Sequence, residues 1–367
     1  MLKQYKLRDY KFRLILWVTA LSILGILIIG SADSDVQSKQ IIGLAGGLML
    51  MIIVSLIDYV WLLKFYWIFY VIAIGLLVAT RYLGTNVNGA TRWLDLGFTT
   101  LQPSDIMKIV LIMFFAQFFS KHEDDLSTFK IIVLSVIIAA VPCFLILKQP
   151  NLSTCILTML LFCALYFVAG LSYKVITGIL VVCVPTLAIL FGIILKPGQT
   201  LIQDYQLTRI LAWLYPEQYP DAAAQQVNSI IAIGSGQLYG KGLETTAIES
   251  VKNANFLSEA QTDFIFAIAG EELGFLGCCG IIILEILIVL ECIWIGRRAR
   301  EFSGTILCCG MGALIGIQSI MNICVATGLM PNTGLALPFV SAGLTSLWTL
   351  FIGIGLVLNV GLQSKKY

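Results

Sequence analysis

LILWVTALSILGILIIG, residues 14–30, contains no charged side chain. As a helix it approaches the thickness of a bilayer's hydrocarbon core, roughly 30 Å. Runs of the same kind recur to the C-terminus. The expected spans are 14–30, 41–57, 62–80, 106–120, 131–147, 155–170, 175–195, 264–296, 304–327 and 339–361. The fold class is therefore an all-α polytopic membrane protein with about ten transmembrane helices. Its one large loop, 196–262, falls between the seventh and eighth spans. The stretch 264–296 is longer than one crossing needs. Glu271 and Glu272 lie in its first third, which is expected at the interface or along a polar cavity rather than against lipid.

Composition agrees. Of the 367 residues, 59% are hydrophobic and 12% charged, too little charge to cover a water-soluble domain of this length. A net charge of +2 gives no reason to expect a nucleic-acid partner. The basic tail ahead of residue 14 leads into a run that is long for a signal peptide and has no clear cleavage site, so it reads as a retained first span. The ten cysteines fall almost entirely inside apolar runs and form no C-x-x-C pair, so neither a disulfide framework nor a zinc site is indicated. No internal repeat is visible, and residues 1–367 read as a single membrane domain.

Lys and Arg concentrate on the cytoplasmic side of a membrane protein. With the N-terminus inside, the inner segments carry Lys3, Lys6, Arg8, Lys11, Arg13, Lys64, Lys121, Lys130, Lys174, Arg297, Arg298, Arg300, Lys365 and Lys366. The short outer loops carry only Lys39, Arg81, Arg92 and Lys148. Both termini are expected in the cytoplasm, with loop 196–262 outside.

The lone histidine, His122, falls on the inner side in KHEDD. Acid–base chemistry on the outer face must then use a carboxylate. Asp263 stands where the long loop enters the membrane, in SEAQTDFIFAIAGEELGF. Partial desolvation there would raise its pKa and make it a better base. The plainer reading is an acid placed to favour the N-terminal end of its helix. A second cluster is NGATRWLDLGFTTLQPSDIMK, a turn-rich loop holding Arg92 and Trp93. Ser104 can cap the following helix. Asp105 and Lys108, three apart, share one face of it. Lys108 is either functional or one half of a structural ion pair, and Trp93 serves equally as an interfacial anchor. QQVNSIIAIGSGQLYGKGL carries four glycines, which either approach a phosphate through backbone N–H groups or form plain turns. Arg209, in YQLTRI, is a candidate anion clamp or a solvated loop cation. Isolated cations, one placed carboxylate and apolar helices suit a substrate with an anionic headgroup and a lipid tail.

NGATRW, LQPSDIMK, KQPNLST, YQLTRI, NSIIAIGSG…GKGL, FLSEAQTDFIFAIAGEELGFLG and GLMPNTGLALPFVSAGLTS, in that order and spacing, resemble the SEDS family of shape, elongation, division and sporulation proteins, typified by RodA, FtsW and SpoVE. The resemblance spans nearly the whole chain. It implies ten helices in the bacterial cytoplasmic membrane and a peptidoglycan glycosyltransferase that polymerises lipid II. It implies a class B penicillin-binding protein as partner. By the resemblance Asp263 is catalytic. Arg92, Trp93, Asp105, Lys108, Arg209, Glu271 and Glu272 belong to the substrate site. Asp105 stands for the family's usual glutamate, Gln261 for a frequent histidine, and VSAGLTS for VSYGGSS. The short tails fit RodA better than FtsW.

The implied reaction is inverting glycosyl transfer at the outer face. Asp263 takes the proton of an acceptor 4-hydroxyl, while Arg92, Lys108 and Arg209 stabilise the leaving pyrophosphate and Asp105 holds Lys108. No metal constellation is visible, and a divalent cation (Mg or Mn) is the only cofactor the chemistry would use. The alternative is a lipid II flippase built on the same helices. A scaffold for partner enzymes is a third class, and it would tolerate loss of Asp263.

Overall fold

The computed structural model describes residues 9–87, 90–95, 97, 100–171, 204–243 and 260–364, with positions 177 and 192. Helices α1 (Phe12–Ala32), α2 (Ser34–Leu56), the short α3 (Tyr59–Leu63) and α4 (Tyr66–Leu83) come first. A three-stranded antiparallel sheet follows, β1 (Thr85–Val87), β2 (Ala90–Asp95) and β3 (Thr100–Leu101), in the order β1-β2-β3. Then come α5 (Pro103–Lys121), α6 (Phe129–Lys148) and α7 (Leu152–Val168). Helices α8 (Asp204–Leu214), α9 (Pro220–Ser235), α10 (Ile265–Arg297), α11 (Phe302–Ala326) and α12 (Leu344–Leu362) complete the described chain.

Nine of the ten expected spans coincide with α1, α2, α4–α7 and α10–α12. The expected span 175–195 lies outside the described residues. Eight of the nine helices are long and apolar enough to cross a membrane, and α7, with 17 residues, is shorter. The chain is a mostly helical, multi-pass membrane protein.

Helix α5 runs through the centre, against α4, α7, α11 and α12. Phe114, Phe115 and Phe119 on it are completely buried. Apart from Asp105 and Lys108, which pair with each other, α5 is apolar around most of its length and takes the middle of the bundle. Helices α2 and α12 pack closely because Gly43 and Gly47 offer no side chain: a Cβ on Gly47 would come within 2.4 Å of the Phe351 ring. Small residues at such seams let membrane helices approach.

Three local expectations change. The loop between α4 and α5 forms a small sheet rather than turns alone. Ser104 does not cap α5: Gln102 is the N-cap, Pro103 follows it, and Ser104 accepts the Gln102 amide at 3.1 Å. Proline suits the first helical turn because its missing N–H would have had no partner there. The described part of loop 196–262 is largely helical. Its α9 turns Ala223, Gln226, Ser229 and Ala232 inward. Gln226 Nε2 donates to the Val325 and Met330 carbonyls, at 2.8 and 2.6 Å, and Ser229 Oγ to Ala326 O at 2.8 Å. These side chains satisfy carbonyls that the end of α11 leaves open.

Helix α10 is two helices. Gly274 interrupts it with φ 66° and ψ −164°, a conformation essentially confined to glycine. The segment after α9 lies across the break. Lys241 and Gly242 N–H donate to the Glu271 and Glu272 carbonyls, at 2.9 and 3.0 Å. Phe275 and Leu276 N–H donate to Gln237 and Leu238 carbonyls, at 2.8 and 3.2 Å. A helix broken at membrane depth must find other partners for its backbone, and the glycine-rich segment supplies them. Two of the N–H groups a phosphate would have needed are therefore committed to the protein itself.

Candidate functional site

Asp263 lies in a turn of residues 260–264 that leads into α10. The segment 331–343 and helix α11 fasten this turn at three points. Ala342 N–H donates to Gln261 O at 2.9 Å. Ser341 Oγ donates to Thr262 O and accepts from Leu337 N–H, at 2.5 and 2.7 Å. Asn322 Nδ2, on α11, donates to Asp263 O at 2.8 Å and to Leu335 O at 2.6 Å. The carboxylate itself lies against Gly334, where a Cβ would be 3.2 Å from Asp263 Oδ2 and 3.9 Å from Arg209 Nη1. Gly334 has φ +67°, which suits glycine, and its bare backbone lets both charged groups close over it.

Arg209 is carried by α8. Burial lowers its pKa, the charge of Asp263 raises it again, and that of Arg92 lowers it. The guanidinium remains a cation throughout. The same interaction sets a positive charge beside the Asp263 carboxylate, a neighbour the sequence did not reveal. Tyr205, one helical turn before Arg209, has its ring centre 5.9 Å from the guanidinium. Its hydroxyl donates to Pro150 O at 2.5 Å and accepts from Arg92 Nη2 at 3.2 Å. Arg92 also donates to Pro150 O. Tyr205 thus joins the β2 arginine to the α8 arginine. Sequence reasoning missed it, although it opens the same YQLTRI segment.

Asp105 and Lys108, on α5, form an ion pair at 2.8 Å with both side chains buried. Lys108 also donates to Gln318 Oε1 at 3.0 Å, and Gln318 Nε2 donates to Ala336 O at 2.8 Å. The expected partnership holds, and Lys108 is buried within the protein. Gln318 was also missed. It and Asn322 are four apart and share one face of α11, under the segment that carries Gly334.

Glu271 and Glu272 take different surroundings. Glu271 pairs with Lys241 at 2.9 Å, and Glu272 accepts from Ser31 Oγ of α1. Both are buried beside the break at Gly274. Trp93 is half-buried on β2. The residues brought together on the 331–343 segment are Asp263, Arg209 and, through their neighbours, Arg92 and Lys108.

Three buried polar atoms in this cluster have no partner among the described residues: Arg92 Nε, Asn322 Oδ1 and Thr333 Oγ1. Unsatisfied buried polar atoms are uncommon and tend to mark strain, chemistry or an absent ligand. An apolar cavity of about 380 Å³ lies between α2, α4, α5 and α12, lined by Leu101, Ile106 and Val110 among others. It runs along α5 past Ile106, Ile109, Val110 and Met113. Among the described residues no group of three or more His, Cys, Asp or Glu stands together as metal ligands.

A family model described as "Cell cycle protein", covering FtsW, RodA and SpoVE, matches residues 10–366. The peptidoglycan glycosyltransferase MrdB of Escherichia coli K12 is 34% identical over 357 residues, 96% of this chain and 93% of that protein. The probable peptidoglycan glycosyltransferase FtsW of Trichlorobacter lovleyi is 31% identical, covering 99% of this chain and 96% of that one. A chain of a peptidoglycan synthase complex that coordinates polymerization and crosslinking superposes with a TM-score of 0.79 at 27% identity, over 96% of this chain and 97% of that one. The rod shape determining protein RodA of Thermus thermophilus superposes with a TM-score of 0.70 at 24% identity over 98% of both chains, a likeness of fold. With a single family model running from residue 10 to residue 366, the chain belongs to the SEDS family of FtsW, RodA and SpoVE proteins.

Proposed function

We propose that this peptidoglycan glycosyltransferase polymerises lipid II by inverting transfer at the outer membrane face, with Asp263 as general base. Asp263 removes the proton from the 4-hydroxyl of an acceptor GlcNAc. That oxygen attacks the anomeric carbon of a MurNAc carrying undecaprenyl pyrophosphate. The bond to the pyrophosphate breaks, and one displacement turns an α-linked donor into a β-1,4 linkage. A positioned base contributes roughly 10²–10⁴-fold.

The observation that carries this reading is the meeting of Asp263 and Arg209 over Gly334. A carboxylate and a guanidinium close together supply a base for the attacking oxygen and a cation for the leaving group. Arg92, with a buried Nε lacking a partner among the described residues, and Lys108, held by Asp105, add positive charge. Fixed cations in a poorly hydrated site act strongly on developing negative charge. The apolar cavity beside α5 suits part of a lipid tail. Trp93, Glu271 and Glu272 belong to the substrate region in this proposal, with the two glutamates shaping the broken helix rather than the reacting centre. A divalent cation, if one takes part, is carried by the pyrophosphate oxygens. Both termini lie in the cytoplasm, and a class B penicillin-binding protein is the partner that crosslinks the product.

The test is a detergent assay with labelled lipid II and purified protein, with and without the transpeptidase partner. Glycan made by the native chain and not by Asp263→Asn supports the proposal. Equal synthesis by both refutes the assigned base. A native chain that binds lipid II yet makes no glycan under either condition favours the flippase.

A further inference from the structure

Lys108 is a buried cation with a defined set of neighbours. Its ammonium has three N–H donors. One goes to Asp105 Oδ1 and one to Gln318 Oε1, at 2.8 and 3.0 Å. The third has no partner among the described residues. The orientation of the Gln318 amide is unambiguous. Lysine can only donate, so the amide oxygen must face it, and Ala336 O can only accept, so the nitrogen faces that side. Asn322, one turn further along α11, repeats the arrangement: its nitrogen bridges Leu335 O and Asp263 O, while its own oxygen stays buried without a partner among the described residues.

We infer that Gln318 is a positioning residue that aims the Lys108 ammonium at the polyprenyl pyrophosphate and registers it, through the 335–336 backbone, against Asp263. Two amides on one face of α11 grip consecutive carbonyls of one strand of chain, Leu335 and Ala336. One of those amides also holds the turn bearing Asp263, and the other holds Lys108. The helix therefore sets the distance between base and cation, which neither the α5 nor the α10 element can set alone. With Asp105 and Gln318 occupying two donors, the remaining N–H has a fixed direction. A fixed direction is what distinguishes a useful cation from one that merely neutralises a neighbour. This inference rests on the proposed reading of Lys108 as a group that acts on the pyrophosphate.

The test is binding of undecaprenyl pyrophosphate to the purified full chain in detergent, measured for the native chain, Lys108→Met, Gln318→Met and the double variant. Methionine nearly matches glutamine and lysine in length and removes their polar ends. Gln318→Met is expected to weaken binding about five- to tenfold. In the Lys108→Met background it is expected to weaken binding no further, because its effect passes through Lys108. In polymerisation, Gln318→Met is expected to lower kcat more than it changes KM. Multiplying losses, or unchanged affinity in Gln318→Met while Lys108→Met is weakened, overturns the positioning role and leaves the reading of the site standing. Unchanged affinity in Lys108→Met overturns both. If Gln318→Met melts early, Gln318→Asn replaces it: it keeps both amide functions one methylene short and must show the same coupling to Lys108.

Discussion

The side-chain amide of Asn322 donates to the backbone carbonyl of Asp263 at 2.8 Å, and with its other hydrogen to Leu335 at 2.6 Å. One α11 side chain thereby ties the turn of the proposed base to the segment that carries Gly334. Asn322→Leu keeps the bulk and leaves two carbonyls without that donor. Each carbonyl left unpaired costs about 1–3 kcal/mol. A lower unfolding midpoint in detergent and a polymerisation rate down at least tenfold are expected, checked by thermal unfolding and by glycan synthesis from labelled lipid II.

Asp263→Asn removes the basic oxygen with almost no change of shape. Polymerisation is expected to fall by about 10²–10⁴-fold, while membrane insertion and the unfolding midpoint stay close to native. Parallel rate and melting measurements separate loss of a base from loss of the fold.

Gly334→Ala acts on the same site from the backbone. The added methyl would sit 3.2 Å from Asp263 Oδ2, on a residue with φ +67°. The left-handed conformation alone costs a side chain about 1–2 kcal/mol. The variant is expected to insert normally and to polymerise at least tenfold more slowly, because the approach of Asp263 to Arg209 must open.

The helix break gives a stability prediction with an internal control. A Cβ on Gly240 would lie 2.1 Å from Glu272 O, and one on Gly274 would lie 2.3 Å from Gly240 N. Both glycines have positive φ. Gly240→Ala and Gly274→Ala are each expected to lower the unfolding midpoint, with backbone strain alone contributing about 1–3 kcal/mol. Gly234, near the end of α9, would meet nothing within 4 Å. Gly234→Ala is expected to leave the midpoint unchanged or raise it slightly, since alanine favours helix by about 1 kcal/mol.

Tyr205→Phe keeps the ring near Arg209 and deletes the hydroxyl that joins Pro150 to Arg92. A loss of about 1 kcal/mol in the arrangement of Arg92 is expected, read as a severalfold rise in the Kd for undecaprenyl pyrophosphate. Unchanged affinity would assign Tyr205 to packing alone.

Much of the fold was legible in the chain. Spans appear as apolar runs because hydrocarbon accepts nothing else, and nine of the expected ten coincide with helices. The length of 264–296 and its Glu271 and Glu272 marked that stretch as unusual for a plain span, but the break at Gly274 was not expected. Nor was the sheet after α4, because strands of two to six residues leave too short a pattern. Within the site, Asp263, Asp105 and Lys108 stood out as charges at or near apolar helices, and Arg92 and Arg209 as loop cations that could bind an anion. Gln318 and Asn322 did not, because an amide in a membrane helix shows no partner until the fold supplies one.

The amino-acid sequence alone determined that the chain is a multi-pass helical membrane protein, and it singled out the few charged residues on which the proposed chemistry rests. The solvent imposes that much on every segment separately. Tertiary structure decided which of those charges meet. Asp263, Arg209 and Lys108 come from three distant segments, and Asp263 and Lys108 are held in register by backbone carbonyls of 335–336, gripped by two amides of α11. Every residue has a carbonyl, so the choice of Leu335 and Ala336 leaves no mark in the sequence.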